Sequence, residues 1–572
     1  MKRVFWISGL ALLLTAAAAG AYFAAEASAP PQISSLMPEG ALLYIEAKDF
    51  HSLLGDWQSS AQKRSWLTSD DYQDFSRSHL FSRLSQAQDE FAAAAGIPTG
   101  IDLLDKVAGS QSALALYDIG NLEFVYVTCL SQQDAEKTPL WQSRGKFEER
   151  SEAGYPFFVR QDIQSQRVAA FAFKDGWLIL GTREDLVAGV LDRLQSPGTH
   201  QLATEAWFAE AVRRASASPG DLRMVLNLDK ILPSPYFRSY WIQRNISEMK
   251  QYTAAISDLY RTPSVYREER VLLRRAGTAS AANGDIAAVA ALVPDNIGFW
   301  SAQASPDPDD LLDHLRRNLL ELKPSTVEGE SAAPPEAVAH AVGSASDLDV
   351  RIDQAPAIEQ EADAWQPLRA LLETAQPTAI LELGFTAPVR DNVFLPIQTA
   401  AVITAAHPWN EQQVTDALAT ALAPGLTASH LGLAWQKRSS AAGDYLALNG
   451  QVSLCVAVRD TQLLLASDPA LLESMLGRRA SAATASGVTY SAVFHHAAER
   501  DSFIALTSQL DRIGNRGRPD GQTAGSDGDA PAFFSGNIAS LSRVLAQVAE
   551  ESIEEKDLGD HVTQTVTYQW QQ

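Results

Sequence analysis

The chain has 572 residues, which is too many for one hydrophobic core and enough for two or three domains. Apolar residues make up 46% of the sequence and charged residues 20%, so most of it is expected to fold. The net charge of -23, from 69 acidic and 46 basic residues, argues against a protein that binds the phosphate backbone of nucleic acids.

The first 27 residues carry a targeting signal. Lys2 and Arg3 precede residues 4–25, which contain no charged side chain. A helix of that length rises about 33 Å, enough to cross a bilayer, and its basic flank places the N-terminus inside. Residues 1–27 are therefore a signal anchor, which the length favours, or a cleaved signal peptide, and residues 28–34 form a linker. Either way the rest is exported, and we expect a periplasmic or other extracytoplasmic protein held at the inner membrane by residues 4–25.

The next part of the chain is predicted to alternate between helices and strands. Residues 41–47 are a predicted strand, and the spacing of apolar residues predicts helix within residues 51–95. Lys174, Asp175 and Gly176 form the hairpin between the last two strands, and Thr182 is expected to cap the helix that follows. Strands joined by short turns indicate an antiparallel sheet with packed helices, an α+β fold. The further predicted strands lie at residues 113–119, 123–130, 155–161, 167–173 and 177–182.

The same pattern recurs in the second half of the chain. Residues 172–193 align without a gap to residues 457–478, and Ser467 takes the place of Thr182 as the expected cap. Three weaker matches keep the same order, which predicts two tandem related α+β domains. Their bounds are 35–275 and 286–572, with a linker at 276–285 and flexible insertions at 323–345 and 512–532. The seven identities are Ala172/Ala457, Asp175/Asp460, Leu178/Leu463, Leu180/Leu465, Leu186/Leu471, Leu191/Leu476 and Arg193/Arg478.

Short motifs of catalysis and metal binding are absent or incomplete. The common zincin, hydrolase and nucleotide-binding signatures do not occur. Residues 60–63 fit S-x-x-K of penicillin-recognising enzymes, but the partner motifs are missing, which favours a surface helix. Four aspartates and a histidine within residues 307–314 lack the Gly and Glu of a Ca²⁺ loop, which favours a helix start over a cation site. His495 and His496 point in different directions on a strand or a helix. The sequence therefore predicts no catalytic, cofactor-binding or metal-binding residues and no cofactor.

One segment is a candidate contact surface. Residues 235–245 are the densest aromatic and basic part of an acidic chain, and such a surface suits sugar rings or a membrane interface. The same spacing also describes a helix that packs its apolar side inward, and both interpretations remain open. The candidate residues are Tyr236, Phe237, Arg238, Tyr240, Trp241 and Arg244.

The chain contains two cysteines, Cys129 and Cys455, and an exported protein can carry disulfides. Both lie in apolar segments predicted as strands, at places that do not correspond in the two copies. Buried free thiols are therefore favoured, and a bond between the two halves is the alternative.

Three features together resemble a loosely defined class of bacterial exported proteins whose domains have no known function. They are the turn at Pro38 and Glu39 before a strand, the segment KDGWLILG (174–181) with its helix, and the N-terminal anchor. The resemblance covers most of residues 35–572, implies a cell-envelope location and supplies no functional residues. We therefore predict a non-enzymatic envelope protein that binds or scaffolds another envelope protein or a ligand. The alternative is a hydrolase that acts on envelope polymers or peptides.

Overall fold

The structure is a computed structural model. It describes residues 32–68, 72, 76–77, 79–196, 198, 200–235, 249–278, 284, 286–295, 297–320, 364–386, 397–426, 434–448, 453–478, 487–496, 499 and 548–570. The predicted N-terminal helix and both predicted insertions lie outside these residues. Within the described ranges, no helix combines the length and the hydropathy needed to cross a membrane.

The chain divides into two compact units, one made of residues up to 54 with 86–210 and the other of residues 55–85 with 211 onward. The helices of both units are α1 (Ile33–Leu36), α2 (Phe50–Ser59), α3 (Ala61–Leu67), α4 (His79–Ala95), α5 (Ile101–Val107), α6 (Gln132–Lys137), α7 (Pro139–Gln142), α8 (Glu184–Gln195), α9 (Ala206–Arg214), α10 (Leu228–Ile231), α11 (Ala287–Ala290), α12 (Pro308–Leu315), α13 (Gln366–Ala375), α14 (Glu411–Leu426) and α15 (Pro469–Leu476). Short 3₁₀ turns lie at Arg144–Lys146 and Leu202–Thr204, and a π-helical turn, Arg316–Leu320, extends α12.

The first unit contains an antiparallel sheet in the order β1-β2-β3-β7-β6-β5-β4. Helices α4 and α5 pack on one face, around Phe171, Leu178 and Leu180. Helix α8 packs its apolar stripe against the sheet, as its residue spacing predicts. The strands are β1 (Leu43–Ala47), β2 (Ser112–Asp118), β3 (Glu123–Cys129), β4 (Glu148–Glu152), β5 (Tyr155–Gln161), β6 (Val168–Lys174) and β7 (Trp177–Gly181).

The second unit contains a longer antiparallel sheet in the order β8-β9-β10-β20-β19-β18-β11-β12-β13-β17-β16-β15-β14. Part of this sheet is covered on both faces, by α11 and α15 on one side and by α12, α13 and α14 on the other. The strands are β8 (Leu222–Asn227), β9 (Tyr252–Arg261), β10 (Val265–Arg274), β11 (Phe299–Ala304), β12 (Pro377–Thr386), β13 (Ile397–Ala405), β14 (Trp435–Ser440), β15 (Gly443–Leu448), β16 (Leu454–Arg459), β17 (Gln462–Ala466), β18 (Tyr490–Phe494), β19 (Val548–Asp557) and β20 (His561–Trp570).

Seven strands of the second sheet follow the same order as the first sheet. We call β1–β7 the first set and β11–β17 the second set; the second set runs β11-β12-β13-β17-β16-β15-β14. Two three-strand meanders, β8–β10 and β18–β20, complete the second sheet and are joined by antiparallel pairing of β10 with β20. The compact units divide near residue 210, so β8–β10 belong to the same unit as β18–β20. The predicted repeat bounds concern the similarity of the two halves and stay a prediction.

The predicted α+β class, an antiparallel sheet with packed helices, is confirmed. The hairpin at Asp175 and Gly176 also forms as expected, with φ of +52° and +82°. Asp460 has the same φ of +52° in the equivalent turn, which explains why an aspartate occurs at both places, since this residue tolerates the left-handed region. Strand β4 was not predicted, because its polar sequence EERSE is exposed at a sheet edge and carries no apolar alternation.

The expected helix caps were wrong by one residue. Arg183 and Asp468 are the N-cap residues of α8 and α15. The hydroxyl of Thr182 instead accepts a hydrogen bond from the Phe124 backbone N–H at 2.9 Å, and the hydroxyl of Ser467 accepts one from the Thr399 N–H, also at 2.9 Å. Each hydroxyl therefore binds a backbone N–H of a neighbouring strand in place of a helix N–H.

Candidate functional site

The predicted contact surface lies outside the described residues. Tyr236, Phe237, Arg238, Tyr240, Trp241 and Arg244 all fall within residues 236–248, which the structure leaves undescribed. Their role as a contact surface therefore stays a prediction. The candidate site developed below comes from another part of the chain.

The acidic segment at residues 307–314 forms the start of helix α12, as expected. The Asp307 carboxylate accepts hydrogen bonds from the backbone N–H groups of Asp309 and Asp310, at 2.9 and 3.3 Å. Leu311, Leu312 and Leu315 are buried and pack the helix against the sheet. No group of three His, Cys, Asp or Glu side chains within the described ranges is arranged to hold a metal ion. Residues 307–314 therefore contain the start of a helix, as the sequence predicts.

This helix start covers a cavity of about 390 Å³, which we call the acidic cavity. Helix α12 and its N-cap contribute the two carboxylates and the imidazole of the roof. Strands β11, β12 and β18 contribute the floor. The polar lining comprises Ser301, Gln303, Asp307, Asp310, His314, Glu382 and Tyr490, and the apolar lining comprises Pro306, Leu311 and Ile380.

The described lining of the acidic cavity carries more negative than positive charge. Three carboxylates line it, and none of the described lining residues is lysine or arginine. Nδ1 of His314 lies 3.6 Å from Oε2 of Glu382, so a protonated His314 would offset only part of the charge. Burial and the Glu555 and Glu382 carboxylates raise the pKa of Tyr490. The Tyr490 hydroxyl therefore remains a neutral donor and acceptor beside these carboxylates.

A polar band continues from the acidic cavity across the same face of the sheet. Glu555 pairs with Tyr490 across strands β18 and β19, and its pKa is raised by burial and by the nearby Asp557 carboxylate. Nε2 of Gln564 donates a hydrogen bond to Glu555 at 3.2 Å. Arg274 forms a buried ion pair with Asp557 at 3.0 Å. Arg274 is therefore paired with Asp557 and also acts electrostatically on the Glu555 carboxylate.

The polar floor replaces apolar residues of the first set. In the first set, one row across four strands reads Leu180, Tyr126, Leu114 and Ile45. The corresponding row of the second set reads Leu465, Ala401, Glu382 and Ser301, starting from the shared leucine Leu180/Leu465. Leu114 packs against the core of the first unit, whereas Glu382 in the same register position lines the acidic cavity.

The sequence alone did not identify the floor of this cavity. Glu382 is the single charged residue of the otherwise apolar strand TAILELGF (378–385), and that is the signal that could have drawn attention to it. Ser301, Gln303 and Tyr490 carry no such signal, since each is ordinary on the polar side of a strand. Their convergence depends on the pairing of β11 with both β12 and β18, which short motifs do not encode.

The other sequence candidates have interaction partners close by in the structure. Ser60 accepts a hydrogen bond from the Lys63 backbone N–H at 3.0 Å and thereby caps α3, and the Lys63 ammonium donates to Gln58. His495 and His496 pair with different carboxylates, Glu550 at 3.1 Å and Glu551 at 3.5 Å. S-x-x-K therefore forms a helix start, and the two imidazoles do not share a ligand.

Both thiols are free in the structure. Cys129 is half-buried and Cys455 is buried in the core of the second unit. Burial raises the pKa of Cys455 to about 11, which keeps this thiol protonated and unreactive at neutral pH.

Comparison with known proteins gives little. No protein-family model matches this sequence, and no curated protein matches it. Among solved structures the chain is similar to TP0453 in three crystal forms, each 11% identical in sequence. Crystal form I aligns over 44% of this chain and 81% of that chain with a TM-score of 0.24, form IV over 43% and 82% with 0.24, and form III over 48% and 89% with 0.23. At these TM-scores the likeness carries no argument about function.

Proposed function

We propose that this protein is an exported, non-enzymatic binding protein of the bacterial cell envelope. In this proposal it consists of two related α+β repeats behind an N-terminal membrane anchor, and the second repeat binds a ligand. The observation that carries the proposal is the acidic cavity, whose polar floor occupies positions that are apolar in the first set.

The proposed relation of the two repeats is supported by their strand order and by two local details. Both sets run in the same order, and residues 172–193 align to 457–478 without a gap. Thr182 and Ser467 accept the same backbone hydrogen bond in the two sets. Similar sheets that differ at one polar site are expected when one copy keeps only the scaffold and the other carries a ligand site.

The proposed export is supported by the N-terminal sequence. Residues 4–25 are uncharged and follow Lys2 and Arg3, which is the pattern of a signal anchor or signal peptide. Free cysteines are compatible with an exported protein when the thiols are protected by burial, as that of Cys455 is. The proposed location is therefore the periplasmic or other extracytoplasmic side, with the inner membrane contacted through residues 4–25.

Labelling of intact cells tests the location. Ile163 is 87% exposed in a turn of the first unit, so Ile163→Cys presents a new thiol to the surrounding solvent. We expect a membrane-impermeant maleimide, applied to cells whose outer barrier is permeabilised, to label I163C without lysis of the inner membrane. The natural chain is the matched control, because Cys455 is 1% exposed and Cys129 is half-buried. Labelling that requires lysis of the inner membrane would contradict export.

A further inference from the structure

We propose that copies of this chain assemble head to tail, with strand β4 of one copy pairing antiparallel with strand β14 of the next copy. The surface is therefore a pair of sheet edges, and the partner is a second copy of this chain. The inference goes beyond the proposed ligand binding and does not depend on it.

Strands β4 and β14 lie at the ends of their strand orders. Among the described strands, β4 pairs with β5 and β14 pairs with β15, each on one side. The other side of such a strand presents a row of backbone N–H and C=O groups, which can pair with a strand of another chain. The two strands also take the same place, the last, in the orders of the first set and the second set.

The turns that follow β4 and β14 determine which backbone groups point outward. Each strand is joined to its neighbour by a two-residue turn, at residues 153–154 and 441–442. The two residues that flank such a turn bond to each other, and inward and outward backbone groups alternate from there along the strand. The N–H and C=O groups of Glu149 and Lys437 therefore point away from their own sheets and are available to a new strand.

The two edges carry opposite charge. Strand β4 reads EERSE, with three glutamates and one arginine, whereas β14 reads WQKRSS, with one lysine and one arginine and no acidic residue. Pairing of β4 with β4, or of β14 with β14, would bring together strands of like net charge, which is unfavourable. Charged edge strands normally prevent association, but opposite signs on two edges instead select the mixed pair.

One antiparallel register satisfies both the backbone and the charges. If Glu149 lies opposite Lys437, then Glu148 lies opposite Arg438, because the two strands run in opposite directions. Glu149 and Lys437 are both residues with outward backbone groups, so they form a hydrogen-bonded pair in this register. Neighbouring residues of a strand lie on opposite faces, so each face of the joined sheet gains one pair of opposite charge.

The present partners of these side chains do not oppose the new contact. Glu148 lies 3.1 Å from Arg150 of its own strand, and Lys437 lies 3.0 Å from Asp444 of β15. The Glu148 and Lys437 side chains are 67% and 70% exposed. Ion pairs this exposed contribute little, so these side chains can turn to partners on a second copy.

A contact between two different edges leaves one β14 and one β4 open at the ends of each assembly. Further copies can therefore add until a ring closes, and a range of sizes is expected in place of a dimer alone. Sedimentation velocity of the purified full chain in detergent, over a series of concentrations, measures this distribution.

Charge reversal on each edge tests the partner strands. Glu149→Lys and Lys437→Glu should each weaken association by about three- to thirtyfold, because one favourable cross-strand pair becomes a repulsive one. An equimolar mixture of E149K and K437E should recover the association, because the new lysine of one variant faces the new glutamate of the other. Glu136→Lys is the matched control, since Glu136 is an exposed residue of α6 and its reversal changes the net charge equally without touching an edge.

Disulfide cross-linking tests the register and does not depend on the charge variants. Glu148→Cys in one copy and Arg438→Cys in another lie opposite each other in a non-hydrogen-bonded pair, at a separation that suits a disulfide. We expect an oxidised mixture of the two variants to give a cross-linked dimer. The matched control is E148C mixed with Gln436→Cys, which lies two residues farther along β14 and should give a clearly lower yield. The natural chain, with Cys129 and Cys455, gives the background.

Four results would overturn the proposal: a monomer at every concentration, equal association of E149K and E136K, a mixture of E149K and K437E that associates as weakly as either alone, or equal cross-linking of E148C with R438C and with Q436C. Association that survives E149K unchanged would assign the contact to another surface. Labelling of I163C is independent of these measurements, so their failure would leave the proposed location standing.

Discussion

The two sets of strands have the same order, but they differ in the positions of their charged side chains. The second set carries Glu382 in the acidic cavity, at a position that is leucine in the first set. The two meanders also differ. In the first meander, β8–β10, Arg223 and Asp258 form a buried ion pair. In the second meander, β18–β20, the corresponding residues are Ser491 and Glu554. The correspondence follows from the strand starts, since Asp221 N–H donates to Leu259 and Thr489 N–H donates to Glu555.

This contrast indicates two uses of charge on one scaffold. Arg223 donates two parallel hydrogen bonds to Asp258, at 2.8 and 2.7 Å, and neither side chain is accessible to a ligand. That pair is satisfied internally and serves the sheet. Glu382 lines a cavity, where Nδ1 of His314 lies 3.6 Å from its carboxylate. The two charged groups therefore differ in their surroundings: one pair is enclosed within the sheet and the other carboxylate lines a cavity.

The largest effect is expected from breaking the internal pair. Arg223→Met should destabilise the protein by about 3–5 kcal/mol, because Asp258 is left buried without its partner. Urea unfolding followed by circular dichroism measures the change. Glu554→Gln, at the position that corresponds to Asp258, is the control and should change stability by less than about 0.5 kcal/mol. If R223M lost less than about 1 kcal/mol of unfolding free energy, the Arg223–Asp258 pair would not distinguish the stability of the first meander from that of the second.

An intermediate effect is expected at the feature that both sets share. Thr182→Val and Ser467→Ala each remove the hydroxyl that accepts a hydrogen bond from a strand N–H. We expect each variant to lose about 1–3 kcal/mol in the same unfolding measurement, since a donor is left unsatisfied. Thr420→Ala on the exposed side of α14 is the control, with a change of about 0.5 kcal/mol or less. Clearly unequal losses in T182V and S467A would argue against equivalent roles of the two hydroxyls.

The scaffold was predictable from the sequence to a larger extent than the site. Apolar strands, the Asp175 hairpin and the stripe of α8 follow from local periodicity, and the gapless match of 172–193 to 457–478 reports the same supersecondary unit twice. The acidic cavity was not predictable, because Ser301, Glu382 and Tyr490 lie on three strands separated by up to 189 residues. Only the pairing of β11 with β12 and β18 brings them together, and that pairing is a long-range property.

The smallest effect is expected at Glu555, next to the acidic cavity, where the corresponding residue of the first meander is Leu259. Burial and the Asp557 carboxylate raise the pKa of Glu555, so the folded protein binds its proton more tightly than the unfolded chain does. The unfavourable contribution of Glu555 is therefore absent below the ordinary carboxyl range, near about pH 4, and grows as the pH rises toward the raised pKa.

Glu555→Gln removes this titration and keeps an oxygen that accepts the hydrogen bond from Gln564. We expect E555Q and the natural chain to be equally stable near about pH 4 and E555Q to be the more stable at neutral pH, with the difference growing between the two. Urea unfolding at several pH values measures this, and E554Q on the exposed face is the control. A stability difference that does not change with pH would mean that Glu555 titrates alike in the folded and unfolded states. Glu555 would then not belong to the polar band that begins at Tyr490.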